Sequence, residues 1–267
     1  VPELISWFMN ALGYLPDGII LASGAFLLAS IALIVAALSR RLFFKNGSAG
    51  NDQHTKLAEL VNGSFLAFTV FVLAMVLNDV RGNLGRADDA ALREASTMAR
   101  LDLELKVANV PESLAARQAL RSYAKTVVDH DWPALGATNP GLSAESEAAL
   151  LVLLQSVDAV AISAPRSAAA LKSQMDKLQD LRQGRLESAT KSVARVFWWT
   201  IGAFLFGAMI MNGRHPIDPA SVCLITLHIG SIGLVIALIL VMDEPFRGQT
   251  SIAPDPISKA LAPLASP

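Results

Sequence analysis

One cysteine, Cys223, occurs in 267 residues, which leaves no intrachain disulfide and no cysteine cluster for a metal. Charge of one sign is missing too. A formal net charge of −1 offers neither a basic face for nucleic acid nor a basic tail for anionic lipid. The chain contains no HExxH, no GxSxG, no phosphate-cradling glycine loop and no cysteine with a paired histidine. These absences argue against an enzyme, and nothing calls for a cofactor or a metal. No segment shows strand alternation or an internal repeat. The first sixteen residues lack the basic stretch that opens a cleavable signal.

Apolar length is what the chain has in abundance. Hydrophobic residues make up 53% and charged residues only 17%, against roughly 45–50% and 25% in soluble domains. That balance predicts a membrane protein with a polar portion. Four runs approach the roughly 20 helical residues that cross a bilayer: Gly18 to Leu38, Leu57 to Leu77, Val196 to Asn212 and Pro219 to Met242. The third is short, and Val193 and Ala194 are expected to extend it, with Arg195 reaching to the interface. Each must be helical, because backbone groups in lipid have to satisfy one another. Asp17 and Asp218 read as N-caps, and Trp7, Tyr14, Trp198 and Trp199 as interfacial anchors.

Residues 79–195 differ in character. Fifteen basic and fifteen acidic side chains balance one another there, and the apolar positions keep helical spacing. Leu84, Ala91, Met98 and Leu105 recur every seven residues, predicting a helix that continues out of the second span. Further helices are expected from Pro111 through Leu114, Leu120, Tyr123 and Val127, from Ser143 through Leu150 and Val157, and from Pro165 through Leu171, Met175, Leu178 and Leu186. The last of these meets no strong breaker before the third span.

The predicted fold is an all-α integral membrane protein with four transmembrane helices and an extramembrane helical bundle inserted between the second and third. Five segments result: an N-terminal interfacial segment (1–17), two spans joined by a short basic loop (18–78), the bundle (79–195), two further spans (196–242) and a proline-rich tail (243–267). Arg40, Arg41, Lys45 and Arg214 lie in the short loops and favour a cytoplasmic position for those loops. The bundle and both termini then face outward across a bacterial cytoplasmic membrane. Arg182, Arg185, Lys191 and Arg195, with Arg81 and Arg86, count the other way.

Several side chains carry a functional and a plain reading together. His228, with Thr226 beside it, is an ionisable group inside the fourth span, which marks a functional site by default. A neutral imidazole bonded to a neighbouring helix is the plain alternative. Phe65, Phe68 and Phe71, with Thr69 among them, fit an aromatic constriction on a pore-lining second span, or packing and lipid contact. Asp243 fits a pore mouth or a simple helix end before Pro245. Asp129, His130 and Asp131 point in different directions along a helix and read as a solvated helix end.

The stretches "ALREASTMARLDLEL", "RSYAKTVVDHDWPAL" and "MDEPFRGQTSIAPDPI" resemble the bacterial bestrophin-like family of unknown function, over roughly residues 57–257. Asp243, Pro245, Phe246 and Gly248, followed by "SIAPDP", carry the most specific part of the resemblance, and Trp132-Pro133 the next. The resemblance implies four transmembrane helices with a helical insertion. It also points, through the likeness to bestrophins, toward an oligomeric anion channel. A bestrophin topology would put the large domain in the cytosol, opposite to the loop charges, and the charge argument is retained.

The functional expectation is a self-associating, channel-like membrane protein. A non-conducting scaffold or sensor whose bundle binds a protein partner, or an accessory subunit of a larger complex, is the alternative. The partners expected are the lipid bilayer and other copies of the chain, with no nucleic acid.

Overall fold

The computed structural model describes residues 16–43, 52–215 and 218–261. Among these residues the secondary structure is entirely helical. Helices α1 (Asp17–Phe43), α2 (Asp52–Ala108) and α3 (Glu112–Thr126) lead into a π-helical turn, Val127–Asp131, and a short α4 (Trp132–Leu135). They are followed by α5 (Ala144–Ser163), α6 (Pro165–Thr190), α7 (Arg195–Asn212), α8 (Pro219–Met242) and α9 (Asp255–Leu261). Five stretches are long and apolar enough to cross a membrane by length and composition: Asp17–Phe43, Lys56–Ala108, Ala144–Ser163, Pro165–Asn212 taken across the junction of α6 and α7, and Pro219–Met242. Trp7, Tyr14 and Lys45 lie outside the described residues.

The described residues divide into two compact units, one built from Gly82–Lys191 and residues 244–261, the other from the described residues between 16 and 81 and Ser192–Asp243. Helix α2 contributes to both. Gly82 and Gly85 do not interrupt it, because one glycine costs a helix only about 1 kcal/mol relative to alanine.

Within the second of these units α1 packs along α8. Small residues permit the approach: a Cβ on Gly233 would stand 2.7 Å from the Gly24 carbonyl oxygen, and one on Gly24 2.6 Å from the Ala237 Cβ. Ala32, Leu73, Val76, Ile201, Leu205 and Ile229 fill the interior. Ser39 donates to the Ile210 carbonyl at 2.7 Å, and Arg40 donates to the carbonyl of His215, so the end of α1 is tied to the α7–α8 connection. Asp218 sits at the N-cap of α8 with Pro219 at its first position.

The other unit is a helical bundle around Met98, Leu101, Leu105, Leu120, Leu153 and Leu171. Ala91, Met98 and Leu105 are fully buried, as a seven-residue stripe on α2 requires. Asn109 ends α2 with a positive φ of 46°, a conformation asparagine tolerates, and α3 follows Pro111. Ser143 caps α5, its hydroxyl accepting from the Ser146 N–H at 3.1 Å. Leu114, expected on the buried face of α3, is 62% exposed; Ala116, Ala119 and Leu120 take that face instead.

Two further expectations are corrected. Helix α6 does not run on into the third span. Lys191 is extended (φ −73°, ψ 124°), and α7 starts only at Arg195, with Ala194 as its N-cap. Val193 and Ala194 therefore do not lengthen the span, and the Val193 N–H bonds to the Asp243 carboxylate at 3.3 and 3.4 Å instead. Within the proline-rich tail Asp255–Leu261 is helical, with Pro256 near its start, where a missing N–H costs nothing, and Ile257 is fully buried.

Candidate functional site

The bundle interior is not purely apolar. Glu94 falls in register with Ala87 and Leu101 on the buried seam of α2, and its side chain is fully enclosed. Asp131 is equally enclosed, as is Arg185 from α6, one turn beyond the nearly buried Arg182.

Asp131 reaches the interior because of Pro133. A proline lacks the N–H that would bond the carbonyl four residues back and its ring crowds that carbonyl. The preceding turn widens accordingly, and the Trp132 N–H bonds Val127 five residues back. Asp129 and His130 remain exposed while Asp131 turns inward. The reading of all three as a solvated helix end is thus corrected for Asp131.

The polar atoms in this cluster pair closely. Arg185 Nε stands 3.0 Å from Glu94 Oε2, and Arg185 Nη2 donates to Asp131 Oδ2 at 3.3 Å and Glu94 Oε1 at 3.4 Å. Tyr123 donates to Glu94 Oε1 at 3.4 Å. Asp131 Oδ1 accepts from the Ser146 hydroxyl at 2.6 Å and the Ser143 N–H at 2.8 Å. Arg182 donates to Ser146 Oγ at 3.0 Å and Glu147 Oε2 at 2.7 Å. Two enclosed carboxylates thus face two guanidinium groups, the arrangement that makes buried charge tolerable. Burial still raises the Glu94 carboxyl above its usual range, against the lowering effect of Arg185. Tyr123 is pushed well above the phenol range, first by burial and then by Glu94. The arrangement can hold a proton near Glu94. Among the described residues no group of three or more His, Cys, Asp or Glu is placed to hold a metal ion.

Trp132 joins this cluster to the C-terminal segment. The Arg185 guanidinium lies 5.1 Å from its ring centroid. Phe246 meets the indole edge-on, at 5.5 Å and 86°, and the indole N–H donates to the Ile252 carbonyl at 2.8 Å. The Phe246 carbonyl occupies the space a Cβ on Gly136 would need, 2.6 Å away. Gly248 has φ 86°, a conformation open to glycine, and the turn it belongs to closes with Ile252 N–H donating to Pro245 at 2.8 Å. Trp132, Pro245, Phe246 and Gly248 therefore form one clasp, while Pro133 is exposed and shapes the turn before it. Phe246, 7% exposed, is a core residue of the bundle.

The remaining sequence candidates lie in the other unit. Phe65 and Phe68 pack on Phe204, with ring centroids 6.3 and 5.6 Å apart. Phe68 is nevertheless 55% exposed and Phe71 69%. Thr69 is buried and donates to the Phe65 carbonyl at 2.8 Å. Thr226 and His228 are exposed on α8. His228 borders a cleft of about 380 Å³ together with Asn62, Asn212 and His215. Asp243 accepts the Val193 N–H described above.

The signals for the buried cluster were present in the sequence but masked. Glu94 follows Ala87 by seven residues and precedes Leu101 by seven, an acidic residue on an apolar seam. Arg182 and Arg185, three apart on α6, resemble juxtamembrane topology charges until their partners are known.

A multi-helical membrane protein with a charged cluster sealed inside a helical bundle is the class these features define. The family model for the bestrophin-like domain matches residues 26–257, and the chain belongs to that family. No curated protein and no solved structure matches it.

Proposed function

We propose that the protein is a homo-oligomeric, channel-like ion-permeation protein of a bacterial cytoplasmic membrane, its path lined by the second span from several copies. Four spans cross in this reading: α1, the first part of α2, α7 and α8. Residues 79–195 form an extramembrane insertion, and α5 belongs to it despite its apolar length.

One observation carries the proposal beyond family membership. Leu60, Gly63, Ser64, Ala67, Phe68, Phe71 and Met75 form a continuous exposed stripe on α2. A Cβ on Gly63 would meet nothing within 4 Å. The stripe combines small residues that let helices approach with phenylalanines that can gate by dewetting. Asp243 stands at the end of the fourth span as the acidic group of the pore mouth. Arg40, Arg41, Lys45 and Arg214 in the short loops support cytoplasmic short loops and an outward bundle.

A non-conducting scaffold or sensor is the second reading. It is favoured by the exposed apolar side chains of α5, Leu151 at 53%, Val152 at 54% and Ile162 at 80%, which offer a protein partner a surface on the bundle. The deciding experiment is the mass of the purified protein in nanodiscs, followed by ion flux from salt-loaded liposomes. A ring of several copies that passes ions establishes the channel. A monomer, or a ring that stays tight across pH and calcium, leaves the scaffold.

A further inference from the structure

The cleft beside His228 has an unusual lining for a membrane-embedded surface. Five of its residues are polar, Asn62, Asn212, His215, Ser221 and His228, and none of the eight carries a fixed charge. Asn62 Oδ1 is shut away from solvent without a hydrogen-bond partner among the described residues. His228 lies nine residues beyond Pro219 and hence roughly 14 Å along α8. Such groups facing hydrocarbon are costly unless something hydrogen-bonds them.

A second cleft, of about 320 Å³, adjoins the first, with Asn212, His215, Ser221 and Ile225 in both walls. Its other walls are apolar and include Leu33, Ile34 and Val222. One side of this shared wall therefore offers uncharged donors and acceptors, and the other offers only hydrocarbon contact.

We infer that the two clefts together form a binding site for an uncharged amphiphile, whose oxygen-bearing head group bonds Asn62, Asn212 and His228 while its hydrocarbon chain lies against Leu33 and Ile34. An anionic phospholipid head suits it less, because no lysine or arginine is among the lining residues, and Arg40 is bonded to the His215 carbonyl. The chemistry required is a neutral head with hydroxyl or carbonyl oxygens, which a benzoquinone or a diacylglycerol supplies equally. A chain of hydrocarbon then completes the second cleft.

The test uses the full chain in nanodiscs with three labelled molecules: a decyl benzoquinone, dioleoylglycerol and phosphatidylglycerol. Saturable binding of at least one neutral molecule is expected, weakened by about tenfold in Asn62→Leu and in His228→Leu, the loss for one hydrogen bond left unmade. Leu227→Ala, on α8 but outside the lining, should bind as wild type. Binding of the quinone alone or of both neutral molecules identifies the source and supports the site either way. Should the variants fail to fold, a photoreactive decyl benzoquinone on wild-type protein must label Asn62–Leu66 or Ser221–His228. The inference is overturned if neither neutral molecule saturates, if only phosphatidylglycerol binds, or if the labels fall elsewhere. Binding that appears only after the oligomer is dissociated overturns it as well, since a second copy would then cover the cleft.

Discussion

Arg185 holds its guanidinium 5.1 Å from the centroid of the Trp132 ring, and through that contact the charged interior of the bundle meets the C-terminal clasp. One face of the indole is turned to a cation that Glu94 and Asp131 neutralise. Its edge faces Phe246, and its N–H bonds Ile252. Trp132 and Phe246 thus have a structural task, joining the chain beyond helix α8 to the bundle.

Removing Arg185 should be the most damaging single change in the bundle. Arg185→Leu leaves Glu94 and Asp131 enclosed with one guanidinium fewer, and truncating one partner of a buried pair costs about 3–5 kcal/mol. Denaturant unfolding of the full chain in detergent measures this. A loss below about 1 kcal/mol would mean the cluster is wet and its charges screened.

Glu94 gives the bundle a pH dependence of definite sign. Burial raises its carboxyl above the ordinary 4.5 although Arg185 opposes the shift. A raised acid binds its proton more tightly folded than unfolded. Its contribution is therefore complete below about pH 4.5 and is lost as pH rises through the folded-state value. The stability of wild type relative to Glu94→Gln should decline as pH rises above the ordinary 4.5. A constant difference would show that folding leaves the Glu94 carboxyl unshifted.

Trp132→Phe keeps an aromatic ring but deletes the indole N–H to Ile252 and leaves part of the buried indole volume empty. The expected loss is about 2–4 kcal/mol, a lost hydrogen bond plus a small cavity, and it should be local. Hydrogen exchange of residues 246–257 should quicken while that of α1 and α8 stays as it was. Uniform acceleration across the chain would refute the clasp as a local fastening.

The sequence revealed this molecule unevenly, and the unevenness has physical causes. Ala91, Met98 and Leu105 were legible because an apolar stripe repeats at the helical period. Gly248, with its open φ, and Pro245, with its fixed one, stood out as backbone-shaping residues. Yet the turn they shape meets Trp132 and Gly136 through Phe246 and Ile252, more than a hundred positions away and beyond any local pattern. Glu94, Asp131, Arg182 and Arg185 were hidden for a different reason. A charge paired inside a bundle looks, in sequence, like a charge in water, and only the fold brings the four together. The break at Lys191–Ala194 was hidden too, since no glycine or proline marks it and its stabilising partner, Asp243, sits fifty residues on.

Asp243 lets the pore reading be separated from simple structure. Its carboxylate accepts the Val193 N–H, a bond that Asp243→Asn can retain through its amide oxygen and Asp243→Ala cannot. On structural grounds alone, alanine should cost about 1 kcal/mol, as for a lost helix cap, and asparagine much less. If Asp243 also lines a pore mouth, asparagine should change the cation-to-anion permeability ratio in liposomes while leaving unfolding near wild type. Flux selectivity that is unaltered in Asp243→Asn would confine Asp243 to its role at Val193.

Phe68→Ala addresses the gate itself. The side chain is 55% exposed in the protomer and stacks on Phe204, so its truncation should cost well under the 3–5 kcal/mol typical of a buried phenylalanine. A hydrophobic ring that closes a path by excluding water opens when it is made smaller. Ion flux should therefore rise in Phe68→Ala, and Phe68→Trp should suppress it, with the oligomer mass unchanged in both. Flux that is indifferent to both substitutions would place Phe68 against lipid or a neighbouring copy and move the constriction to another part of the span.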